Sequence, residues 1–447
     1  MKYFIKQLAK LTIWRFNPKV IAITGSVGKT SAKEAVFAVL KNHRRVRKSK
    51  GNLNNELGVP LTIIGDWEEE ELKLVSRETP AGKKRFKKLF FWIKVIFYGI
   101  FQLLFLKKSA PARRSFSKGG YPEILILEYA ADRPGDIKEL LGIAKPYIGI
   151  VTAVGEIPVH VEFFSGPEAV AKEKSKLIEH LPANGFAVLN FDNEIVIRIK
   201  ERTRAKVIAF GFGEGADIKI SALENHIENG RPAGIYFKLE YAGSFVPVVL
   251  KNTFGKAQAY AAAAAACVGL IFDLNLVEIS EALSLNYKPE KGRMNLIKGI
   301  KDTYIIDDAY NASPISMTEA LETLKGLSAF AKAPADKPTI RKIAVLGDML
   351  ELGKYSIEAH ESIGRLVAEI VDVLITVGPR AKFIAQAAES AGLNKSRILS
   401  FDTASEAALA TQDLIKKGDL VLIKASRAVG LEKVVEEIKQ IENAPIV

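Results

Sequence analysis

The chain of 447 residues is 48% apolar and 26% charged, which excludes a disordered or low-complexity polymer and suits roughly two or three domains with full cores. Its single cysteine, Cys267, excludes an internal disulfide and a four-thiolate zinc site. The net charge of +13 is uneven: residues 1–120 hold 26 Lys and Arg against 8 Asp and Glu and the remainder holds 38 against 43, so an anionic partner is expected near the first quarter.

Residues 1–18 begin MKYFIKQLAKLTIWRF. Lysines are spread among the apolar residues and no small-residue cleavage site follows, so this is a short amphipathic helix rather than a signal peptide. KVIAITG is then a β-rich run ending in glycine, and KTSAKEAVFAVLKNH has helical spacing. Strand, glycine loop and helix come in the order of a phosphate loop. Gly25 and Gly28 let the backbone approach phosphate oxygens, Lys29 reaches the outer phosphates, and Thr30 offers a hydroxyl to Mg²⁺. Ile23 stands where the longer pattern has its first glycine, so the form is a shortened T-G-x-x-G-K-T; the competing reading is a fortuitous glycine turn. Asn52, Asn54 and Asn55 form a polar cluster that either reads a substrate's amides and hydroxyls or only builds turns.

Residues 83–118 stand out, with an apolar core over 89–106 flanked by lysines and arginines, marginal in length for a membrane span. Lys94, Tyr98 and Gln102 recur at i, i+4 and i+8, which predicts a narrow polar stripe on an otherwise apolar helix. Buried-strand runs follow in EILILEY, IGIVTAVG, GFAVLNFD and AKVIAFGFG, with helical segments such as GPEAVAKEKSKLIEHL between them. This alternation predicts a parallel α/β sheet. Residues 216–250 read as β-hairpins and AYAAAAAACVGLIF as a helix packed through alanine. A boundary near 289–292 precedes a second α/β unit carrying TYIIDDAY, RKIAVLGDM, VDVLITVG and DLVLIKAS, with AFAKAPADKPTI a surface loop.

TGSVGKTSAKE followed by GNLNNELGVPLTI resembles the Mur ligase family, and within it the branch that adds D-alanyl-D-alanine. ILEYAADRPGDI, HVEFFSGPEAVAKEKSKLI, GRMN with IIDDAYNASPISM, VLGDMLELG and VLIKASRAVGLEKVV agree in order, and the match covers about residues 19–66 and 121–440. The resemblance implies an α/β fold: a P-loop central domain with a mostly parallel sheet over 19–290, interrupted by the segment 83–118, then a Rossmann-like C-terminal domain over 291–447. It implies that a substrate carboxylate attacks the γ-phosphate of ATP and that an amine then displaces phosphate from the acyl phosphate. Thr24, Gly25, Ser26, Val27, Gly28, Lys29, Thr30 and Ser31 would hold ATP. Glu128 would bind Mg²⁺ at the end of its strand. His160 would help hold a second Mg²⁺, together with Lys174 carried as a carbamate. Lys29, Glu128, His160 and Lys174 are thus the catalytic set. Arg293 would contact phosphates, Asp308 the ribose, and Tyr310 and Asn311 the nucleotide side. Asn52, Asn54 and Asn55 with Lys424, Ser426 and Arg427 would face the muramoyl-peptide acceptor and the incoming amino acid or dipeptide.

The pattern is broken in places. The adenine-contact segment has Ala257, Gln258 and Ala261 where relatives carry His and Asn, with Gln258 the candidate substitute. Ala130 and Ala425 replace glycines. About 18 residues precede the first strand, too few for the domain with which relatives hold UDP.

The expected function is an ATP-dependent, ADP-forming amide ligase of peptidoglycan precursor synthesis, cytoplasmic, with ATP, Mg²⁺ at two sites, and no nucleic acid partner. Because Lys29 precedes 83–118 and Glu128 follows it, a single membrane crossing would separate residues that share one nucleotide. The segment is therefore expected to lie in the interface, to enter and return, or to pack on protein. Its basic flanks favour a peripheral seat on anionic headgroups at the inner face of the membrane, and the competing readings are an oligomer contact and a partner-binding helix. The alternatives are a ligase for a lipid-linked or other non-UDP acceptor, the folylpolyglutamate synthase branch, and a non-catalytic, membrane-attached ATP-binding relative.

Overall fold

The computed structural model describes residues 1–75, 85–106, 120–228, 231–327 and 340–440. Helix α1 (Lys2–Phe16) forms because Ile5, Leu8, Ala9, Thr12 and Phe16 fall on one helical face and are buried. Asn17, in the left-handed conformation, ends it, and β1 (Lys19–Thr24) follows. Then come α2 (Lys29–Leu40), β2 (Val46–Lys48), α3 (Gly58–Ile64), α4 (Glu69–Lys73) and α5 (Arg85–Phe105). The chain continues through β3 (Ile124–Glu128), α6 (Asp136–Leu141), β4 (Ile148–Val151), α7 (Pro167–Glu179), β5 (Phe186–Asn190), α8 (Glu194–Ile197) and β6 (Lys206–Gly211). Strands β7 (Ile218–Glu228), β8 (Arg231–Tyr241) and β9 (Ser244–Lys251) precede α9 (Lys256–Ile271) and α10 (Leu276–Asn286).

These strands make one sheet in the order β2-β3-β1-β4-β5-β6-β7-β8-β9. Pairing is parallel from β2 to β7 and antiparallel over β7, β8 and β9. The parallel strands are near-continuous apolar runs because helices cover both faces. On one face Val36 and Val39 of α2 belong to the same core as the buried alanines of α9, whose small side chains allow close helix approach. Cys267 is buried there, and burial pushes its thiol up, so it is packing rather than chemistry.

The second unit comprises β10 (Asn295–Lys298), β11 (Tyr304–Asp308), α11 (Pro314–Leu327), β12 (Lys342–Gly347), α12 (Ser356–Ala368), β13 (Val373–Val377), α13 (Ala381–Ser390), β14 (Ile398–Phe401), α14 (Ala404–Leu414), β15 (Leu420–Lys424) and α15 (Glu432–Ile438). Its sheet runs β10-β11-β15-β12-β13-β14, parallel except for the β10–β11 pair. The loop expected at AFAKAPADKPTI falls, except for Ile340, outside the described residues.

On helix α5 the polar stripe is turned toward the body. Gln102 is buried, and its amide donates to Ile64 O. Gly99 meets Leu8 and Ile64 so closely that a Cβ would collide with Leu8, and this contact turns the Gln102 side of the helix inward. Lys94 lies at the edge, 2.5 Å from Glu71. Residues 83–84 and 107–118 of the segment lie outside the described residues.

Candidate active site

Strands β1, β3 and β4 end side by side, with Ile23 opposite Glu128 and Thr24 opposite Val151. Everything that follows them therefore collects at one sheet edge. Thr24 is not free for ligand: its hydroxyl donates to Tyr129 O at 2.9 Å and pins two strand ends. Gly25 has φ +147°, and a Cβ there would collide with the Thr152 hydroxyl. The loop folds back on the β4 end, where Ser26 N donates to Ala153 O at 2.6 Å and Val27 bridges Ala153. Gly28 has φ +85° and starts α2. Lys29 Nζ curls back to donate to Gly25 O at 2.9 Å, the loop-embracing posture of a phosphate-binding lysine.

Thr30 Oγ1 donates to Glu128 Oε2 at 3.2 Å, and Asn54 Nδ2 donates to Glu128 Oε1 at 3.3 Å. Glu128 is 3% exposed. Burial alone would raise its carboxyl, but Lys33, Lys29, Arg293 and the Asn54 amide outweigh that and hold it below the ordinary carboxylate range. A hydroxyl and an ionised carboxylate are hard oxygen donors of the kind Mg²⁺ takes alongside phosphate oxygens and water. Among the described residues no three His, Cys, Asp or Glu are grouped as a full metal cage, and Mg²⁺ in nucleotide sites does not need one. The Ser26 hydroxyl and Arg293 Nε are buried without a partner, as orphan donors awaiting an anion would be.

His160 sits in a left-handed turn at φ +70°. Its Nε2 lies 3.4 Å from Asp132 Oδ1 and its Nδ1 2.5 Å from Glu351 Oε2, a residue of the second unit. Lys174 is 2% exposed on α7. Burial, aided by the charge of Lys29, lowers its ammonium to about 7 against the opposing pull of Asp132, Glu173 and Asp136. Asp132 thus lies between His160 and Lys174 electrostatically, a role the sequence did not single out.

The asparagine cluster divides by role. Asn54 reaches the Glu128 carboxylate. Asn55 Oδ1 accepts from the Leu57 and Gly58 amides at 3.1 and 2.9 Å and starts α3. Asn52 is exposed.

From the second unit, Asp308 Oδ1 accepts from Met294 N at 3.1 Å and its Oδ2 from Lys424 Nζ at 2.5 Å. Lys424 also donates to Asn311 O at 3.0 Å. The Ser426 hydroxyl is held between Leu350 N and Ala312 O. The Tyr310 ring is flanked by the guanidinium groups of Arg293 at 4.2 Å and Arg427 at 5.0 Å. A cavity of about 90 Å³ lies against residues 26–31 and is closed by Arg293, Asp308, Asn311 and Lys424. It adjoins a cavity of about 600 Å³ whose lining includes Asn190, Asp192, Asn225 and Tyr260, with Val27, Gly28 and Glu319 among the residues shared between the two. Gln258 does not fill the place of the missing adenine contacts: its amide is spent on the Tyr287 hydroxyl and on Arg293 O. Tyr260, whose hydroxyl donates to Asp192 at 2.9 Å, lines the larger cavity instead.

Lys33 is a further residue that sequence reading passed over. Its side chain is fully buried, 3.0 Å from Glu290 and 3.6 Å from Glu34. Burial would lower its ammonium, but Glu128, Glu290 and Glu34 raise it above the ordinary lysine value. It lies within the quoted TSAKE run, and only the fold shows which way it points.

Comparison with known proteins agrees with this geometry. Residues 114–269 match the Mur ligase middle domain, and residues 292–427 match the Mur ligase glutamate ligase domain. The chain is 27% identical over 437 residues to the UDP-N-acetylmuramoyl-tripeptide–D-alanyl-D-alanine ligase of Bacillus subtilis, covering 97% of this chain and 79% of that protein. It is 30% identical over 434 residues to the Mycobacterium bovis protein of the same name, covering 94% and 72%. The crystal structure of MurF ligase from Thermotoga maritima in complex with ADP superimposes with a TM-score of 0.72 at 27% identity, covering 98% of this chain and 83% of that one. The two matched domains, the shared two-sheet fold and these relatives together place the chain in one group: it belongs to the Mur ligase family.

Proposed function

We propose that this protein is an ATP-dependent amide ligase that joins D-alanyl-D-alanine to the carboxylate of a UDP-linked muramoyl tripeptide. The observation that carries the reading is the convergence of Lys29, Thr30, Glu128 and Asn54 at the glycine loop, where Lys29 and Thr30 line the small cavity that residues of the second unit close and that adjoins the larger one. Phosphoryl transfer asks for positioning and neutralised charge more than for covalent chemistry from the protein. Lys29 and Arg293 supply fixed cations where two anions must approach. Thr30 and Glu128 would hold Mg²⁺, which supplies further neutralisation of the phosphates. His160, Asp132 and Lys174 lie on the acceptor side, with Lys174 as the carbamate candidate. Closure by Asp308, Lys424 and Arg427 would keep water from the acyl phosphate. The names of the relatives favour a UDP-linked acceptor over a lipid-linked one and favour a ligase over a non-catalytic protein.

We also infer that residues 83–118 hold the enzyme peripherally on the cytoplasmic side of an anionic membrane. The support is the exposed apolar side of α5. The ligase reading is tested by phosphate release from ATP with UDP-linked muramoyl tripeptide, with and without D-alanyl-D-alanine. Release that requires both supports it; release indifferent to the dipeptide overturns it.

A further inference from the structure

Resting on the membrane reading of residues 83–118, the structure points to something that segment alone does not contain. We propose that α1 and α5 together form one bilayer-docking face, a two-helix pad that seats in the headgroup region of an anionic lipid surface beside the acceptor loop.

The two helices lie parallel and in contact. Gly99 meets Leu8, and Arg15 Nη2 reaches Leu106 O at 3.5 Å, so equal steps along each helix stay paired. Both rest on α3, so their far sides look the same way. Those far sides are apolar. On α5, Phe90, Phe97, Phe101, Leu104 and Phe105 are exposed, and on α1, Tyr3, Phe4, Leu11 and Trp14 are exposed. Single exposed apolar residues need no explanation, but a contiguous aromatic face of this kind marks an interaction site.

Charge selects the occupant. No Asp or Glu precedes Glu34, and none lies between Glu78 and Glu123, whereas Lys10, Arg15, Lys87 and Lys88 lie on the two helices, beside Lys2, Lys6 and Lys94, which pair with Glu56, Glu139 and Glu71 of neighbouring segments. A second copy of the chain would set cations against cations. An anionic bilayer offers both apolar depth and complementary charge. Spanning is excluded by packing: Phe91 and Tyr98 touch Trp67 edge-on, and Gln102 is bonded to Ile64, so α5 lies along the body.

The pad meets the asparagine loop directly through Lys2 and indirectly through Trp67, on which Phe91 and Tyr98 pack. Lys2 pairs with Glu56 at 3.1 Å, beside Asn54 and Asn55, and Lys50 donates to Trp67 O at 2.9 Å. A seated pad therefore leaves the asparagine loop near the membrane surface.

Trp14 is the reporter, being 81% exposed while Trp67 and Trp92 are 3% and 8% exposed. The full chain would be mixed with vesicles of phosphatidylglycerol and phosphatidylcholine, and with phosphatidylcholine alone. Flotation and Trp14 emission would be followed. The expected result is a blue shift and flotation with the anionic vesicles only. Leu11→Glu with Tyr3→Glu on α1, and Phe97→Glu with Phe101→Glu on α5, should each weaken partitioning by about tenfold or more. Unchanged turnover on the UDP-linked acceptor would show that the variants are folded. If the α1 variant binds like the parent, the two-helix pad is wrong while the reading of 83–118 survives. If no form binds vesicles, both fall. If the chain is a dimer with Trp14 already shielded in the absence of lipid, the occupant is a second copy and the proposal is overturned.

Discussion

The Thr30 hydroxyl donates to the Glu128 carboxylate at 3.2 Å although 98 residues separate the two in the chain. The pair joins the start of α2 to the end of β3 and sits where the proposed Mg²⁺ would meet the phosphates. Glu128→Gln keeps the shape and removes the charge. Turnover is expected to fall by about 100- to 1000-fold, because a preorganised charge at a phosphoryl-transfer site is worth that much. Unchanged turnover at saturating Mg²⁺ and ATP would remove Glu128 from the site.

Lys174 gives a pH signature. Its ammonium is lowered to about 7, so the neutral amine, the form able to take up CO₂, predominates above that pH. Turnover at limiting bicarbonate should rise as pH passes through about 7 and become less steep when bicarbonate is added. Carbon-13 NMR of protein equilibrated with labelled bicarbonate should show a carbamate resonance that Lys174→Met lacks. A resonance equal in both proteins would exclude Lys174 as its carrier.

Lys33 and Glu290 give a stability signature. Lys33→Met strands Glu34 and Glu290 beside Glu128 without their buried cation. A loss of about 3–5 kcal/mol is expected on denaturant unfolding, the usual cost of breaking a buried pair from one side. Adding Glu290→Gln should recover part of it. If the double variant is no more stable than the single one, the ion pair is not what Lys33 contributes.

Glu319 gives a nucleotide signature. Burial raises its carboxyl to about 7, so it is neutral below that pH and anionic above it. An added negative charge in the cavity proposed for the nucleotide opposes ATP, so KM for ATP should rise by about threefold to tenfold as pH passes 7. Because the folded-state value is raised, the stability this group contributes is present at acid pH and lost as pH rises through about 7. Glu319→Gln should flatten both profiles. A parallel rise in KM for the variant would assign the effect to another group.

Much of this was legible in the sequence. The long parallel strands are apolar runs between helices, and each was placed by its own residues. β2, β10 and β14 were not, since VRK, NLIK and ILSF are too short and too mixed to carry a periodic signal. The phosphate loop was legible because its glycines and Lys29 are local. Asp132, Lys33 and Glu351 were not, because each reaches its partner through tertiary approach rather than spacing. The stripe on α5 had the right period, but the period of a helix does not say which side faces the body. Gly99 decided that, by letting Leu8 and Ile64 come close.

Two of the contacts between the units differ in kind. Thr253, with no exposed surface, donates to Met294 O at 3.3 Å beside the Leu296 N to Asn252 O bond, where the second sheet begins, while His160 meets Glu351 where both side chains remain partly in water. A water-exposed pair yields at little cost and a buried hydrogen bond costs more to break. The second unit is therefore hung like a door, with the firmer joint at Thr253 and a light catch at His160.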